Sequence, residues 1–261
     1  MIPVVRFITL VAIAASMTSC QSLNSSVKPD ALPPSAFLEH ASLMKAEPDR
    51  SPFRLNWTNP SPTARASFAK KKEIVISAVS MAHLRPVSKG LARYESDAES
   101  RRAESLKLAS YARDEFSAAF RNSKAPRFRV VDQPGKNSLT LELAIVDLNP
   151  NSISGAVIRT GVNAVALPGT DLILSGPARP LKGNIAIEGK LRDSRTKEII
   201  FEFADNEESK SPFFTINLRD FKSYGQARLA IHEWAEQFEK LLSTPEGGQV
   251  KDSSSVTFRL W

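Results

Sequence analysis

The chain has 261 residues, enough for one sizeable domain or two small ones, and its apolar (42%) and charged (24%) fractions are those of a protein that buries a core, which excludes a disordered chain. The net charge of +7 favours anionic surfaces such as phospholipid or lipopolysaccharide head groups; the basic residues are scattered and accompany no nucleic-acid-binding motif, so nucleic acid is not an expected partner. A single cysteine excludes an internal disulfide, leaving burial and hydrogen bonding to hold the fold.

Arg6 precedes a mostly apolar run, Phe7 to Met17, which is followed by the small residues Thr18 and Ser19 and then Cys20. That is the layout of a secretory signal peptide. The run of about 11 residues spans roughly 16 Å as a helix, against a hydrocarbon core of about 30 Å, so it is too short to remain as an anchor. Met17-Thr18-Ser19-Cys20 resembles a lipobox, with Met17 in place of the usual Leu. The resemblance implies a diacylglycerol on the Cys20 sulfur, cleavage before Cys20, and acylation of the new amine by a chain such as palmitate. An ordinary signal peptide with an incidental cysteine is the competing reading. Loss of Arg6 with the leader lowers the net charge by one. Each buried methylene contributes about 0.8 kcal/mol and a surface Lys or Arg only about 1 kcal/mol, so lipid on Cys20 is the expected link to the membrane. Gln21 stands where Asp would mark inner-membrane retention, which implies the periplasmic face of the outer membrane.

Gln21 to Pro34 lacks apolar periodicity and reads as a tether. Phe37-Leu38 and Leu43-Met44 predict a short packed turn, and Pro48, Pro52, Pro60 and Pro62 argue against a long element through 48–62. Glu73–Ser80 is a β-branched run that predicts a buried strand. Leu108, Ala112, Phe116 and Phe120, at four-residue spacing, predict an amphipathic helix over 98–122. Arg127–Val131 and Ser138–Asp147 read as strands across the turn at Pro134-Gly135, the second with Leu139, Leu141, Leu143 and Ile145 on one buried face. Residues 149–182, with Gly155, Gly161, Gly169 and Gly176, read as a long loop, a feature often functional. Gly183–Leu191 and Glu198–Phe203 predict a hairpin around Asp193-Ser194-Arg195-Thr196. Ala227, Ile231, Trp234, Phe238, Leu241 and Leu242 form the apolar stripe of a helix over roughly 220–243. The alternating Val256–Trp261 either pairs with the sheet or serves as a docking peptide.

The order β-α-β-β, loop, β-β-α predicts an α+β fold: a mainly antiparallel sheet with two amphipathic helices packed on one face. The expected organisation is a lipoprotein signal peptide (1–19), a lipidated tether (20–35), a single α+β domain (36–244) and a C-terminal tail with an edge strand (245–261). Several segments in register resemble a bacterial lipoprotein family, domain of unknown function 3313, over about residues 35–244. They are Phe37–Leu43, Trp57–Pro60 with Ile74-Val75-Ile76, Arg127–Gly135 with Leu139–Leu148, Gly183–Glu198 with Lys197 where the family usually has Gly, and Tyr224–Ala235. The resemblance implies a fold and a location and brings no agreed activity.

No catalytic constellation, metal site or cofactor motif is expected. His232-Glu233-Trp234-Ala235-Glu236 has Glu236 where a zincin helix carries its second histidine, so a solvated or partly packed His232 is the better reading. There is no G-x-S-x-G elbow and no phosphate-cradling glycine spacing. Lys70-Lys71-Lys72 reads as a solvated lead-in to a strand or, alternatively, a membrane-facing basic patch. Glu188 lies in an otherwise apolar strand, facing opposite to Ile185 and Ile187. It is either an outward residue on an exposed sheet face or a carboxylate paired with Lys190 or Arg192 in a binding surface. The favoured function is a non-enzymatic binding or assembly component of the envelope, meeting another protein or the cell wall through the 149–182 loop or the sheet face. The alternative is a carboxylate-dependent hydrolase, in which Glu188 or Asp193 faces a deep pocket with a second acid within about 5–10 Å. A subunit of a secretion or adhesion assembly is the third reading.

Overall fold

In a computed structural model the described residues are 31–86, 98–149, 184–208, 224–245, 248–250 and 252. The expected signal peptide, Cys20, the 150–182 part of the predicted loop and the alternating tail at 256–261 lie outside them. The compact unit runs from Ala31 to Asp252.

Its elements in chain order are a 3-10 turn (Ala41–Leu43), β1 (Leu55–Thr58), α1 (Pro62–Lys70), β2 (Glu73–Ile76), α2 (Ala98–Asn122), β3 (Arg129–Val130), β4 (Ser138–Asn149), β5 (Asn184–Asp193), β6 (Ile199–Glu208) and α3 (Gly225–Ser243). The six strands form one sheet in the order β1-β6-β5-β4-β2-β3. The α+β class stands, but the sheet is mixed. Strands β1, β6, β5 and β4 pair antiparallel, whereas β2 runs parallel to both β4 and β3.

The parallel edge corrects the mainly antiparallel sheet expected, and the two strands read across the turn at Pro134-Gly135 are not paired with each other. Strand β2 lies between β3 and β4, so the turn returns the chain to the start of β2 instead of folding β4 back on β3. Asn137 O accepts from Lys72 N and Glu73 N there, fixing the return point. The helix α2 between β2 and β3 supplies the long crossover that a parallel pair needs.

Elements β1 and α1 lie within and just beyond the proline-rich stretch expected to lack long structure. Pro52 and Pro60 flank β1 without interrupting it, and Pro62 begins α1, where a missing N–H removes no helical bond. Only Ala64 of α1 is fully buried, so this helix carries almost no apolar stripe to be read.

The longer helices follow their patterns. Leu108, Ala112, Phe116 and Phe120 of α2 are buried, as are Ala227, Ile231, Trp234, Phe238 and Leu242 of α3. They meet Leu139, Leu141, Leu143, Ile145, Ile187, Leu191 and Phe203 from the sheet in one core. Trp234 is buried with its polar edge satisfied, Nε1 donating to Asp205 Oδ2 at 2.8 Å. Gly189 of β5 sits opposite Phe203 of β6, whose ring occupies the space a Cβ would need. The β5–β6 hairpin turn places Lys197 at φ 64°, a left-handed conformation that suits glycine.

The opposite sheet face is also covered. Alternation puts Ala144 and Val146 on this face, where they pack with Ala186 and Ala204 beneath Phe37 and Leu38, and a bulge at Val146 then returns Leu148 to the helix side. The central strands are therefore buried on both sides, by helices on one face and by an irregular N-terminal segment on the other.

Candidate functional site

Alternation along β5 sends Ala186, Glu188, Lys190 and Arg192 to the face away from the helices, as the apolar spacing of Ile185, Ile187 and Leu191 requires. Glu142 of β4 and Glu202 of β6 pair across with Lys190 and share that face. Small residues at 144, 186 and 204 leave a shallow trough beside this polar row. Residues 32–44 lie in the trough as a strap.

The strap is held by carboxylates that accept its backbone N–H groups. Glu188, 2% exposed, accepts from Ser35 N at 2.6 Å and from Ser35 Oγ at 2.5 Å. Glu202, fully buried, accepts from Glu39 N and His40 N, each at 2.9 Å, and contacts His40 Nδ1 at 3.0 Å. A buried carboxylate costs several kcal/mol to desolvate unless it is richly hydrogen-bonded, and these N–H groups meet that need. Leu32 N reaches Asn206 Oδ1 at 3.4 Å, and the Arg85 guanidinium donates to Pro33 O.

Lys190 and Arg192 complete the seat. Lys190 Nζ stands 4.2 Å above the Phe37 ring and 3.4 Å from Glu142 Oε2. Arg192 donates to Glu39 Oε1 through one terminal nitrogen and to Glu142 Oε2 through Nε at 3.1 Å. The Arg192 hydrogen bond holds the Glu39 carboxyl below the ordinary carboxylate range, against the smaller opposing effect of burial. At its far end the strap stacks the His40 ring flat on Trp57 of β1, centroids 3.6 Å apart and planes 5° from parallel.

The sequence singled out Glu188, Lys190 and Arg192, and the structure brings all three into this seat. It does not pair Glu188 with Lys190 or Arg192: the cations bind Glu39 and Glu142, and Glu188 binds Ser35. Nor is the face open, because the strap covers it. Ser35, Glu39 and Glu202 were missed. The available signal was a second glutamate, Glu202, inside the apolar run Ile199–Ala204.

Asp193 lies elsewhere, at the hairpin turn. Lys71 Nζ approaches its Oδ2 at 2.8 Å, Ser67 Oγ donates to the same oxygen at 2.6 Å, and the N–H groups of Arg195 and Thr196 donate to Oδ1. Burial raises the Asp193 carboxyl, but these bonds outweigh it and hold the group far below the usual carboxylate range. Lys71 is thus buried and paired, which corrects the solvated reading of the middle lysine in 70–72; the two outer lysines are exposed. The lysine trio straddles the end of α1 and the start of β2, and the chain's turn there aims its centre inward.

Neither carboxylate is placed for acid–base work. The crevice beside Glu188 has a volume of about 10 Å³, room for one water at most. Asp193 is ionised and fully engaged by structural donors. His232 contacts Glu115 at 2.8 Å and Glu236 at 3.6 Å, on a half-exposed helix flank. Among the described residues no three His, Cys, Asp or Glu side chains gather as metal ligands. What the sheet face does chemically is bind an irregular, turn-containing segment through its N–H groups, and the segment it binds is its own.

No curated protein matches the chain. Among solved structures the chain is similar to the PelC dodecamer from Paraburkholderia phytofirmans, with 8% identity over 70% of this chain and 94% of that one and a TM-score of 0.34. A single-substitution variant of the same dodecamer gives 7% identity, 70% and 96% coverage, and a TM-score of 0.33. A family model described as "Protein of unknown function (DUF3313)" matches residues 33–238, a span that opens inside the strap at Pro33 and closes on the core residue Phe238. The chain belongs to that family.

Proposed function

We propose that this chain is an envelope lipoprotein, fixed to the periplasmic face of the outer membrane through lipid on Cys20, and that its body is a non-enzymatic binding or assembly component. The observation that carries the reading is the position of the lone cysteine, directly after two small residues at the end of a short apolar run. The strap adds to it. Ten residues, Gln21 to Asp30, separate Cys20 from the compact unit. They reach at most about 35 Å when extended, so lipid on Cys20 keeps the body close to the bilayer. Tension on that tether acts first on the strap, whose N–H groups are held by Glu188 and Glu202. Among the described residues no helix is long and apolar enough to cross a membrane.

The partner is another envelope protein or a cell-wall component, met through the segment between β4 and β5. Hydrolysis is not favoured, because Glu188 and Asp193, the two acids it would use, are committed to Ser35 and to Lys71. The test is Cys20→Ser in the native host. It is expected to leave unlipidated precursor and to release the body from the membrane fraction. Unchanged processing and retention, or an unmodified Cys20 thiol by mass spectrometry of the native protein, overturns the anchor. Deleting 150–180 without unfolding the body is expected to shift its native-gel mass in envelope extracts; no shift removes the assembly role.

A further inference from the structure

One end of the sheet is basic, and the strand register makes it so. Glu73 lies level with Arg129 and Ser138, Leu139 with Asp193, and Arg192 with Ile199, so β3, β2, β4, β5 and β6 share a rim there. Lys70 and Lys72 flank the entry to β2, Lys136 precedes β4, and Arg195 and Lys197 lie in the β5–β6 turn. All five are exposed, and none enters an ion pair among the described residues. At an interstrand spacing of about 4.8 Å, the row from β6 to β2 runs about 14 Å.

Most carboxylates of the rim are already engaged. Asp193 is buried against Lys71, Glu73 pairs with Arg129 at 2.5 Å, and Glu198 accepts from Asn59 Nδ2 at 3.3 Å. That leaves the five exposed cations against two carboxylates that no cation neutralises, Glu198 and the exposed Asp132. The chemistry of the row selects its partner. Four of the five are lysines, compact hydrated charges that suit phosphate and lack the planar fork by which arginine grips a carboxylate. Lysine is depleted in the cores of protein interfaces, where large apolar and aromatic side chains gather. Among the described residues the exposed large apolar side chains are Leu43 and Leu106, both outside the row.

We propose that this rim docks on the surface of a bilayer rich in anionic phospholipid, its lysines among the phosphates and no apolar side chain inserted. The strap enters at the other end of the sheet, where Leu32 N reaches Asn206. Asn206 and Ile199 lie seven positions apart on β6, roughly 23 Å, whereas the ten residues Gln21 to Asp30 reach at most about 35 Å. A chain anchored at Cys20 can therefore lay the rim on the bilayer that holds it. The inference does not rest on that anchor and is tested without it, on the full chain carrying Cys20→Ser.

Sedimentation with vesicles of phosphatidylcholine, alone or in equal parts with phosphatidylglycerol, reads the contact. A basic residue near an anionic surface strengthens binding about fivefold, so Lys72→Gln with Lys136→Gln is expected to weaken binding to the mixed vesicles by roughly tenfold or more. Binding to phosphatidylcholine alone and the melting temperature are expected to stay unchanged. Lys45→Gln with Arg102→Gln removes the same charge away from the rim and is expected to weaken binding by about threefold at most. Any contribution of the apolar run at 7–17 is common to all three chains and cancels. The preference for mixed vesicles is expected to vanish at about 1 M salt, where the screening length falls to about 3 Å. Three results overturn the proposal: equal binding of the parent to both vesicles, no loss in the rim variant, and equal losses in the two double variants. A parent that binds polyglutamate as tightly as mixed vesicles, at equal anionic charge, also overturns it and assigns the rim to an acidic polypeptide.

Discussion

Replacing Glu202 with Ala removes the acceptor of three strap donors: Glu39 N, His40 N and His40 Nδ1, at 2.9, 2.9 and 3.0 Å. A hydrogen bond to a charged group contributes roughly 1.5–3 kcal/mol, so the sum of the parts overstates the loss if the strap can move. Once detached, Glu39 and His40 reach water and their N–H groups are no longer orphaned. The loss then saturates at the free energy holding the strap down, about 3–4 kcal/mol for two buried backbone bonds with a partly buried third. Hydrogen exchange at Glu39 and His40 is therefore expected to accelerate about 10²- to 10³-fold, and Trp57 emission is expected to change as the His40 ring leaves its face. Glu202→Gln keeps one carbonyl acceptor while turning an amide toward a donor, and is expected to lose about 1–2 kcal/mol. Glu236→Ala, on the exposed flank of α3, is expected to stay within about 0.5 kcal/mol. The reasoning fails if Glu202→Ala costs under about 1 kcal/mol in urea melts and leaves exchange across 37–44 unchanged.

Two other substitutions probe the frame that carries the strap. A Cβ on Gly189 would lie 2.1, 2.4 and 2.8 Å from three atoms of the Phe203 ring, which is hemmed by Phe53 at 4.2 Å and Phe238 at 5.2 Å between centroids. Gly189→Ala is expected to cost about 2–3 kcal/mol in chemical denaturation, and under about 1 kcal/mol when Phe203→Leu is also present; equal costs in both backgrounds refute the clash. Asp193→Asn removes the charge partner of the buried Lys71 ammonium, leaving it Lys136 O as a neutral acceptor, and is expected to cost about 3–5 kcal/mol at pH 7. Because the folded carboxyl is depressed, its stabilisation is complete above the ordinary Asp value near 3.9 and is lost as pH falls toward the folded value. The melting temperature of the variant should therefore drop less between pH 7 and pH 3 than that of the parent, and an identical drop would exclude Asp193 from the acid limb.

Much of the fold was legible because most of its elements carry their burial in their spacing. The stripes of α2 and α3 and the alternation of β4 each bury one continuous apolar face, and that periodicity is local. What escaped was whatever depends on pairing. The direction of β2 against β4 is set by the crossover through α2 and by bonds from Lys72 and Glu73 to Asn137, none of which leaves a period in the sequence. Helix α1 escaped because it shields little more than Ala64, and β1 because its four residues lie in the proline-bounded stretch where no long element was expected. Lys197 is the converse case: an unremarkable lysine whose left-handed backbone coincides with the position where the family resemblance has glycine.

The candidate site was half legible for the same reason. A glutamate in an apolar strand says that something must solvate it, and alternation says on which face, but neither says what. The expected partners were cations two and four residues away, because those are the partners a strand can offer itself. The actual partner lies 153 residues distant, in a segment with no period of its own, which read as the end of a tether. Such a strap is held in part by apolar burial of Phe37 and Leu38, with Leu32, Ala41 and Met44 packed beside them. The rest of its hold on the sheet comes from carboxylates that are costly to bury alone. That reciprocity makes attachment a two-sided requirement: without the strap Glu188 and Glu202 lose their donors, and without the glutamates the strap loses its acceptors. A pull on the chain ahead of the strap would therefore reach the centre of the sheet through Glu188 of β5 and Glu202 of β6.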